Sequence, residues 1–238
     1  MSLSIKTFNN LLVLIFIIFL NVNSCAQQSI GVNYSIDRTY RSLIANERGN
    51  NSQSIVDYSD SIYFPSIKNT VGISIQKFIN ENIILDFGIL YIKTGYQSIK
   101  IKNLRVPDEN QIYVDNMTNF INLKYLSLPI KLKWIISKNK IQTFLVSGLS
   151  ANIFLKSNSS FLHEYNDGTT QTTFYTYNSD KFLSISIVLG LGIDIPINRN
   201  YSIEINPIFR RSLTKFHDFS YNEYLYSYGI NLGINYKF

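Results

Sequence analysis

The segment from Glu223 to Phe238 alternates strictly between two kinds of residue. Every second position from Tyr224 onward is aromatic or aliphatic, and the positions between them are mostly polar or glycine. A period of two predicts a β-strand with one apolar face. That face is aromatic at both ends and aliphatic in the middle, which suits a strand crossing a bilayer because Tyr and Phe favour the two water interfaces.

The composition is consistent with a sheet that contacts lipid. The 238 residues are 45% hydrophobic but only 16% charged, with 17 Tyr and 16 Phe, whereas soluble domains are about 25% charged. Mean hydropathy is +0.01, which argues against a helical membrane protein. This length is enough for one medium-sized domain.

The N-terminal segment predicts export. Lys6 precedes an uncharged apolar run from Leu11 to Leu20, and small residues follow at Ser24 and Ala26. This pattern predicts a signal peptide over residues 1–26 with cleavage after Ala26, and a folded domain over 27–238. The alternative is a membrane anchor, but the run is shorter than the ~20 residues that a spanning helix needs.

Cys25 is the only cysteine, so no disulfide can form within the chain. Its setting also resembles a lipobox, in which Cys25 would carry a lipid and become the first residue, although Asn23 fits that pattern poorly. Removing residues 1–26 takes away one of 22 basic residues and none of 16 acids, which leaves 21 − 16 = +5. This modest charge does not suggest nucleic-acid binding.

Seven further segments share the two-residue period, and their connections alternate between long and short. Transmembrane barrels have short periplasmic turns and long external loops, with both ends periplasmic when the strand number is even. The pattern therefore predicts an all-β fold, an eight-stranded antiparallel transmembrane up-and-down β-barrel. The first seven predicted strands are 28–37, 69–78, 83–93, 120–136, 141–156, 183–195 and 201–210, and the long connections are 38–68, 97–119, 157–180 and 212–222.

Two details refine this prediction. Basic residues in the outward rows, namely Lys77, Lys93 and Arg211, come at strand ends, where they avoid the ~2–4 kcal/mol cost of a charge at the bilayer midplane. In the fourth strand the apolar alternation slips by one residue beside Pro129. A β-bulge produces such a slip, so we expect a bulge there.

The stretch from Lys124 to Trp134, KYLSLPIKLKW, resembles the YLEIPLLLKY motif of the PorT-like outer-membrane β-barrel proteins of the Bacteroidetes. The segment from Gly31 to Ser35 and the terminal aromatic strand also match that family. Ser127 replaces the usual acid and Lys131 an apolar residue. The resemblance implies an outer-membrane barrel associated with protein secretion or envelope assembly, and it implies no activity.

An eight-stranded lumen is only wide enough for side chains to fill it, so a diffusion porin is not expected. Two interpretations of its charges stay open, a polar conduit or proton path and a salt-bridged plug; the plug is favoured because buried charges must be paired. The inward rows carry three acids and three bases, namely Asp86, Asp194, Glu204, Lys131, Lys133 and Arg210.

The two histidines, His163 beside Glu164 and His217 beside Asp218, fall in predicted external loops. Some small outer-membrane barrels are lipid-modifying hydrolases or acyltransferases, and such a base could activate Ser160 or Ser220. Solvated loop histidines are the alternative that we favour, because neighbouring residues in an extended chain point in opposite directions.

The aromatic loop segments 58–64, 174–177 and 216–221 suit either a protein or glycan partner or a cap on the barrel rim. We predict no catalytic, cofactor-binding or metal-binding residue and no cofactor. The expected partners are outer-membrane lipid and envelope or secretion proteins, with no nucleic acid. The hypothesis is a structural or interaction role, and the competing hypothesis is a lipid-modifying enzyme.

Overall fold

The computed structural model describes residues 28–46, 52–103, 112–177, 182–216 and 221–238, so the predicted signal peptide lies outside the described residues. These residues form ten β-strands and one α-helix, and none of their helices is long and apolar enough to traverse a bilayer. The elements are β1 (Gln28–Ala45), α1 (Ser52–Ile62), β2 (Tyr63–Asn80), β3 (Ile83–Ser98), β4 (Ile101–Lys102), β5 (Val114–Lys138), β6 (Gln142–Tyr165), β7 (Thr170–Tyr177), β8 (Leu183–Pro196), β9 (Tyr201–Ser212) and β10 (Tyr221–Lys237).

Eight of these strands close into a ring in which each neighbouring pair is antiparallel. The order is β1, β2, β3, β5, β6, β8, β9 and β10, and β10 pairs again with β1. The closing register runs from Ser29 opposite Lys237 to Ala45 opposite Tyr221. The predicted ring of eight is confirmed, and the sheet has two additional short strands. β4 pairs with β5 beyond the end of β3, and β7 pairs with β6 beyond β8.

The ring wall has an apolar exterior and a polar interior. On β1 the residues from Ser29 to Thr39 alternate without interruption: small and polar residues are buried, and the exposed residues are apolar as far as Ile36, with Arg38 beyond them. Val32, for example, is 60% exposed, while its neighbour Asn33 is buried. Hydrophobic residues have no reason to face water in every strand of a ring, so the outward rows are the surface that lipid covers.

The outward apolar rows have the length needed to cross a membrane. They run from Tyr228 to Tyr236 on β10 and from Leu126 to Trp134 on β5, each close to the ~9–11 residues of a tilted spanning strand. We call this part of the wall the apolar band. The short turns lie at the same end as Gln28 and Lys237, which is the periplasmic end in such barrels, so α1 and the long connections lie at the external end.

The predicted long connections prove to be largely ordered structure. Residues 38–68 contain the end of β1, α1 and the start of β2, and residues 157–180 contain the end of β6 and β7. Likewise β4 and the start of β5 lie within 97–119, and β10 begins within 212–222. Strands β5 and β6 stay paired as far as Val114 opposite Tyr165. We call β4, β7 and residues 114–122 and 158–165 the outer extension.

The prediction of a β-bulge beside Pro129 is wrong. Inward residues alternate through that part of β5 without a break, and Leu123 and Tyr125 are buried inside the ring. The apolar residues of β5 change from the inward face to the outward face after Tyr125. They do so because Leu123 and Tyr125 line the outer half of the lumen, whereas the apolar residues from Leu126 onward face lipid. The register shift between β5 and β6 lies instead at Lys124 and Tyr125, where Leu155 is the extra residue on β6.

Candidate functional site: the barrel lumen and its external opening

A group of four charged side chains crosses the periplasmic half of the lumen. The Lys133 ammonium lies 3.0 Å from Oδ2 of Asp86 and 2.5 Å from Oε2 of Glu204. Lys131 pairs with Oδ1 of the same aspartate at 3.2 Å. We call Asp86, Lys131, Lys133 and Glu204 the lower lumen cluster; its two acids and two bases balance, and all four are buried.

Neutral side chains complete the lower lumen cluster from the opposite wall. The amides of Gln76 on β2 and Asn235 on β10 donate to Oε2 of Glu204 at 3.2 and 3.3 Å. The Lys133 ammonium also lies 5.1 Å from the centroid of the Phe144 ring on β6. These contacts join strands on all sides of the ring, so the cluster spans its full width.

A second ion pair lies nearer the external end. Arg210 donates to Oδ1 of Asp37 at 2.8 Å, and the hydroxyls of Thr70 and Ser35 donate to the same carboxylate at 2.7 Å. Each oxygen of Asp37 therefore has a donor. This coordination offsets much of the cost of burying the charge, since buried ions are tolerated when they are paired and hydrogen-bonded.

Above the apolar band, Arg41 lies between two tyrosine rings. Its guanidinium carbon is 4.5 Å from the ring centroid of Tyr63 and 4.3 Å from that of Tyr96, and Nη1 donates to the Tyr96 hydroxyl at 3.2 Å. Oε2 of Glu223 lies 3.7 Å from Nη1. Burial raises the pKa of the Glu223 carboxyl above its usual range, while Arg41 and the Tyr96 hydroxyl oppose that rise.

A small cavity lies between the lower lumen cluster and the external opening. Its volume is about 70 Å³, enough for a few water molecules. Its lining combines apolar side chains with hydroxyls, amides and three bases, of which Lys131 and Arg210 have carboxylate partners and the third is Lys215. The polar lining includes Ser127, Lys131, Ser150, Asn152, Ser186 and Arg210.

The structure brings together four of the six predicted lumen charges. Asp86, Glu204, Lys131 and Lys133 form one cluster as expected. Arg210 pairs with Asp37, and Asp194 pairs with Lys237 at 3.2 Å near the periplasmic end.

Three charged lumen residues were not predicted from the sequence. Asp37 was placed in a strand without a role, Arg41 in a loop, and Glu223 at the start of a strand without a lumen role. The inward row of small and polar residues on β1 continues through Thr39 to Arg41. This continuation could have predicted that Asp37 and Arg41 face the lumen.

The structure does not assemble the predicted histidine and serine pair. Ser160 and His163 both lie on β6, and their odd spacing puts them on opposite faces of the strand. The His163 ring stacks on Phe161 with centroids 6.4 Å apart. Glu164 forms an exposed ion pair with Lys100. The second candidate set, His217, Asp218 and Ser220, lies outside the described residues.

The aromatic segments at the external end divide into two groups. Tyr63 stacks on Arg41 inside the ring, whereas Phe174 on β7 is 73% exposed. Residues 217–220 of the third segment are not among those described. The part of the chain that the structure describes contains no cluster of His, Cys, Asp and Glu suited to a metal ion.

A closed antiparallel ring with a lipid-facing apolar exterior and a charge-paired interior defines a transmembrane β-barrel. Residues 26–222 match the sequence model of the family described as outer membrane protein beta-barrel domain. The chain belongs to this family and is a protein of the bacterial outer membrane.

Several solved structures are similar to this chain at low identity. Neisserial surface protein A is 13% identical with a TM-score of 0.44, covering 89% of this chain and 97% of its own. Ail, the attachment invasion locus protein of Yersinia pestis, is 12% identical with a TM-score of 0.39, covering 90% and 99%. OprG of Pseudomonas aeruginosa is 11% identical with a TM-score of 0.47, covering 90% and 96%. No curated protein matches the chain significantly.

Proposed function

We propose that this protein has a structural or interaction role in the cell envelope, with the outer extension as its contact surface and a lumen closed by side chains. The observation that carries the proposal is the outer extension itself. Four neighbouring strand segments continue beyond the apolar band as a paired sheet, from Ile101 opposite Met117 on one side to Glu164 opposite Thr170 on the other.

A paired sheet offers a partner a better-defined surface than free loops do. Backbone hydrogen bonds hold its side chains in place, so less conformational entropy is lost on binding. Phe174 and Tyr175 on β7 are 73% and 49% exposed, and Tyr175 packs edge-on against Phe161 with centroids 5.5 Å apart. Exposed aromatic side chains on an ordered strand are typical of interface anchors.

The charge pairing in the lumen supports the closed-lumen part of the proposal. The lower lumen cluster and its amide partners connect β2, β3, β5, β9 and β10 across the ring. An ion crossing this layer would have to separate buried pairs, which costs several kcal/mol each. A salt-bridged plug is therefore favoured over a polar conduit.

The partner process that we propose is protein secretion or envelope assembly of the Bacteroidetes type. Support comes from the resemblance of the segment from Lys124 to Trp134 to the PorT-like motif. In the structure this segment forms the wall of β5, and Ser127 and Lys131 face the lumen. Both residues that depart from the motif are thus inward, where they do not alter the surface presented to a partner.

A deletion strain complemented with two forms of the protein tests the interaction role. The full chain should restore secretion and envelope integrity. A form in which a tight Asn-Gly turn replaces residues 159–175 should not, although its barrel still forms, because Asn158 and Thr176 lie directly opposite each other and a two-residue turn can join them. Normal secretion and an intact envelope in the deletion strain would contradict the proposal.

Conductance in planar lipid bilayers tests the closed lumen. The wild-type protein should show no stable open-channel current, since the lower lumen cluster fills a cross-section of the lumen with buried, paired charges. Sustained conductance through the folded wild type would support the conduit interpretation instead. The unboiled protein should migrate as a compact band on gels in both experiments, which verifies that it is folded.

A further inference from the structure

Three lysines lie side by side on the outer surface of the ring. The register places Lys93 of β3 opposite Lys124 of β5, and Lys124 opposite Lys156 of β6. Their side chains face outward, because Leu123 and Tyr125, on either side of Lys124, are buried in the interior. We call Lys93, Lys124 and Lys156 the lysine row.

This arrangement is unfavourable in the protein alone. Directly opposite residues have Cβ atoms about 4.5–5.5 Å apart, and like charges in such pairs destabilise a sheet. Among the described residues, no carboxylate forms a salt bridge with any of these three ammonium groups. The Lys93 ammonium lies 6.0 Å from the centroid of the Tyr91 ring. An external anion would relieve this repulsion.

The lysine row lies at the external edge of the apolar band. Lys124 is the next outward residue above Leu126, the first apolar residue of the band on β5, and Lys93 is the next above Tyr91 on β3. A lipid whose acyl chains cover these outward rows therefore has its headgroup level with the three lysines.

A fourth cation reaches the same patch. The ammonium of Lys68 on β2 donates to Oδ1 of Asn122 at 2.5 Å, and Asn122 is the next outward residue above Lys124 on β5. The backbone of Lys68 lies opposite the lumen-facing Asp37, so Lys68 is not part of the row itself, but its ammonium adjoins the row where Asn122 accepts its hydrogen bond. Lysine ammonium groups bind phosphate well as point charges, and several of them together can surround one phosphate group.

We propose that the lysine row binds the phosphate group of an anionic lipid in the outer leaflet. The lipid source is favoured over a free phosphate ion because the row adjoins the lipid-covered surface directly. An inserted phospholipid or glycolipid supplies both the anion for the lysines and the chains that contact Leu126 and Tyr91. A soluble anion would satisfy only the first requirement.

Native mass spectrometry of the folded protein in detergent tests this proposal with phosphatidic acid as the probe. Phosphatidic acid should bind more tightly than phosphatidylcholine. The variant Lys93→Gln/Lys124→Gln/Lys156→Gln should bind phosphatidic acid more weakly by on the order of 100-fold, since each lysine near an anionic surface contributes roughly fivefold. Its affinity for phosphatidylcholine should be unchanged.

The matched control is Lys102→Gln/Lys138→Gln/Lys140→Gln, which removes the same charge from exposed positions outside the row. It should retain the affinity of the wild type for phosphatidic acid. Equal losses in the two variants would overturn the proposal, because only net charge would then matter. So would competition in which inorganic phosphate displaces phosphatidic acid at similar concentrations, because the site would then be one for a free anion.

Thermal unfolding in vesicles gives a second readout that does not depend on detergent. In phosphatidylcholine vesicles the row variant should unfold at the same temperature as the wild type or higher, because the like-charge repulsion is gone. Adding phosphatidic acid should raise the unfolding temperature of the wild type and of the control but not of the row variant. A rise of the same size in the row variant would contradict the proposal.

Discussion

The lower lumen cluster provides a test of whether charge pairing stabilises this barrel. Asp86 is the partner of two lysines, at 3.2 Å from Lys131 and 3.0 Å from Lys133, and it is 1% exposed. In Asp86→Asn the cluster changes from two acids and two bases to one acid and two bases. Lys133 keeps Glu204, but Lys131 is left buried without a carboxylate.

An uncompensated buried charge costs about 3–5 kcal/mol when its partner is removed. We therefore expect Asp86→Asn to lower the free energy of unfolding by roughly that amount, reduced to the extent that water reaches Lys131 from the adjoining cavity. The double variant Asp86→Asn/Lys131→Met restores equal numbers of acids and bases and keeps the pair between Lys133 and Glu204. It should recover at least half of the loss.

Equilibrium unfolding in urea, with the protein in phosphatidylcholine vesicles, measures both values. Folded and unfolded fractions are read from the mobility of unboiled samples on gels. The reasoning would be refuted if the double variant were as unstable as Asp86→Asn or less stable. In that case the loss would come from packing or lost hydrogen bonds and not from the unpaired charge.

Three further predictions concern other parts of the ring. Leu232→Arg places a charge in the middle of the outward row of β10 and should cost about 2–4 kcal/mol in urea unfolding, whereas a loss under ~0.5 kcal/mol would show that lipid does not cover this face. Arg41→Gln removes a cation that lowers the pKa of Glu223, so the buried carboxyl keeps its proton to higher pH in the variant than in the wild type. The stability of this variant relative to the wild type should then fall as pH rises above the usual range of a glutamate carboxyl, and a pH-independent difference in unfolding would contradict this explanation. Gly95 has φ of +140° and an added Cβ would meet the backbone of β5, so Gly95→Ala should destabilise the barrel by more than the ~1–3 kcal/mol of backbone strain alone. Gly168→Ala, at φ of +83° with open space around it, is the control and should cost only the strain, as measured by thermal unfolding on gels.

The ring of eight strands could be predicted from the sequence because the two faces of the wall meet opposite environments. Within the band, lipid outside and paired polar groups inside give β10 and β8 a clear alternation. Outside the band both faces of a strand meet water, and the residues from Val114 to Phe120 are half-buried on both sides. The sequence of the outer extension therefore has no apolar alternation from which its strands could have been predicted.

Side-chain partners across the lumen could not be predicted, because they depend on register and on the closure of the ring. Arg210 and Asp37 are far apart in the chain and meet only because β10 pairs with both β9 and β1. The mistaken bulge has a related cause. Leu123 and Tyr125 are apolar yet face inward, so hydrophobicity alone assigned them to the wrong side of β5.

The pairing of β1 with β10 joins the first and last described strands along their whole length. Until that contact forms, β1 and β10 each present an open edge of unpaired peptide groups, which hydrocarbon tolerates poorly. Bringing such distant segments together is entropically costly and slow. Assembly of this wall therefore has a late committing step, the closure of β10 against β1, before which no stable inserted form exists.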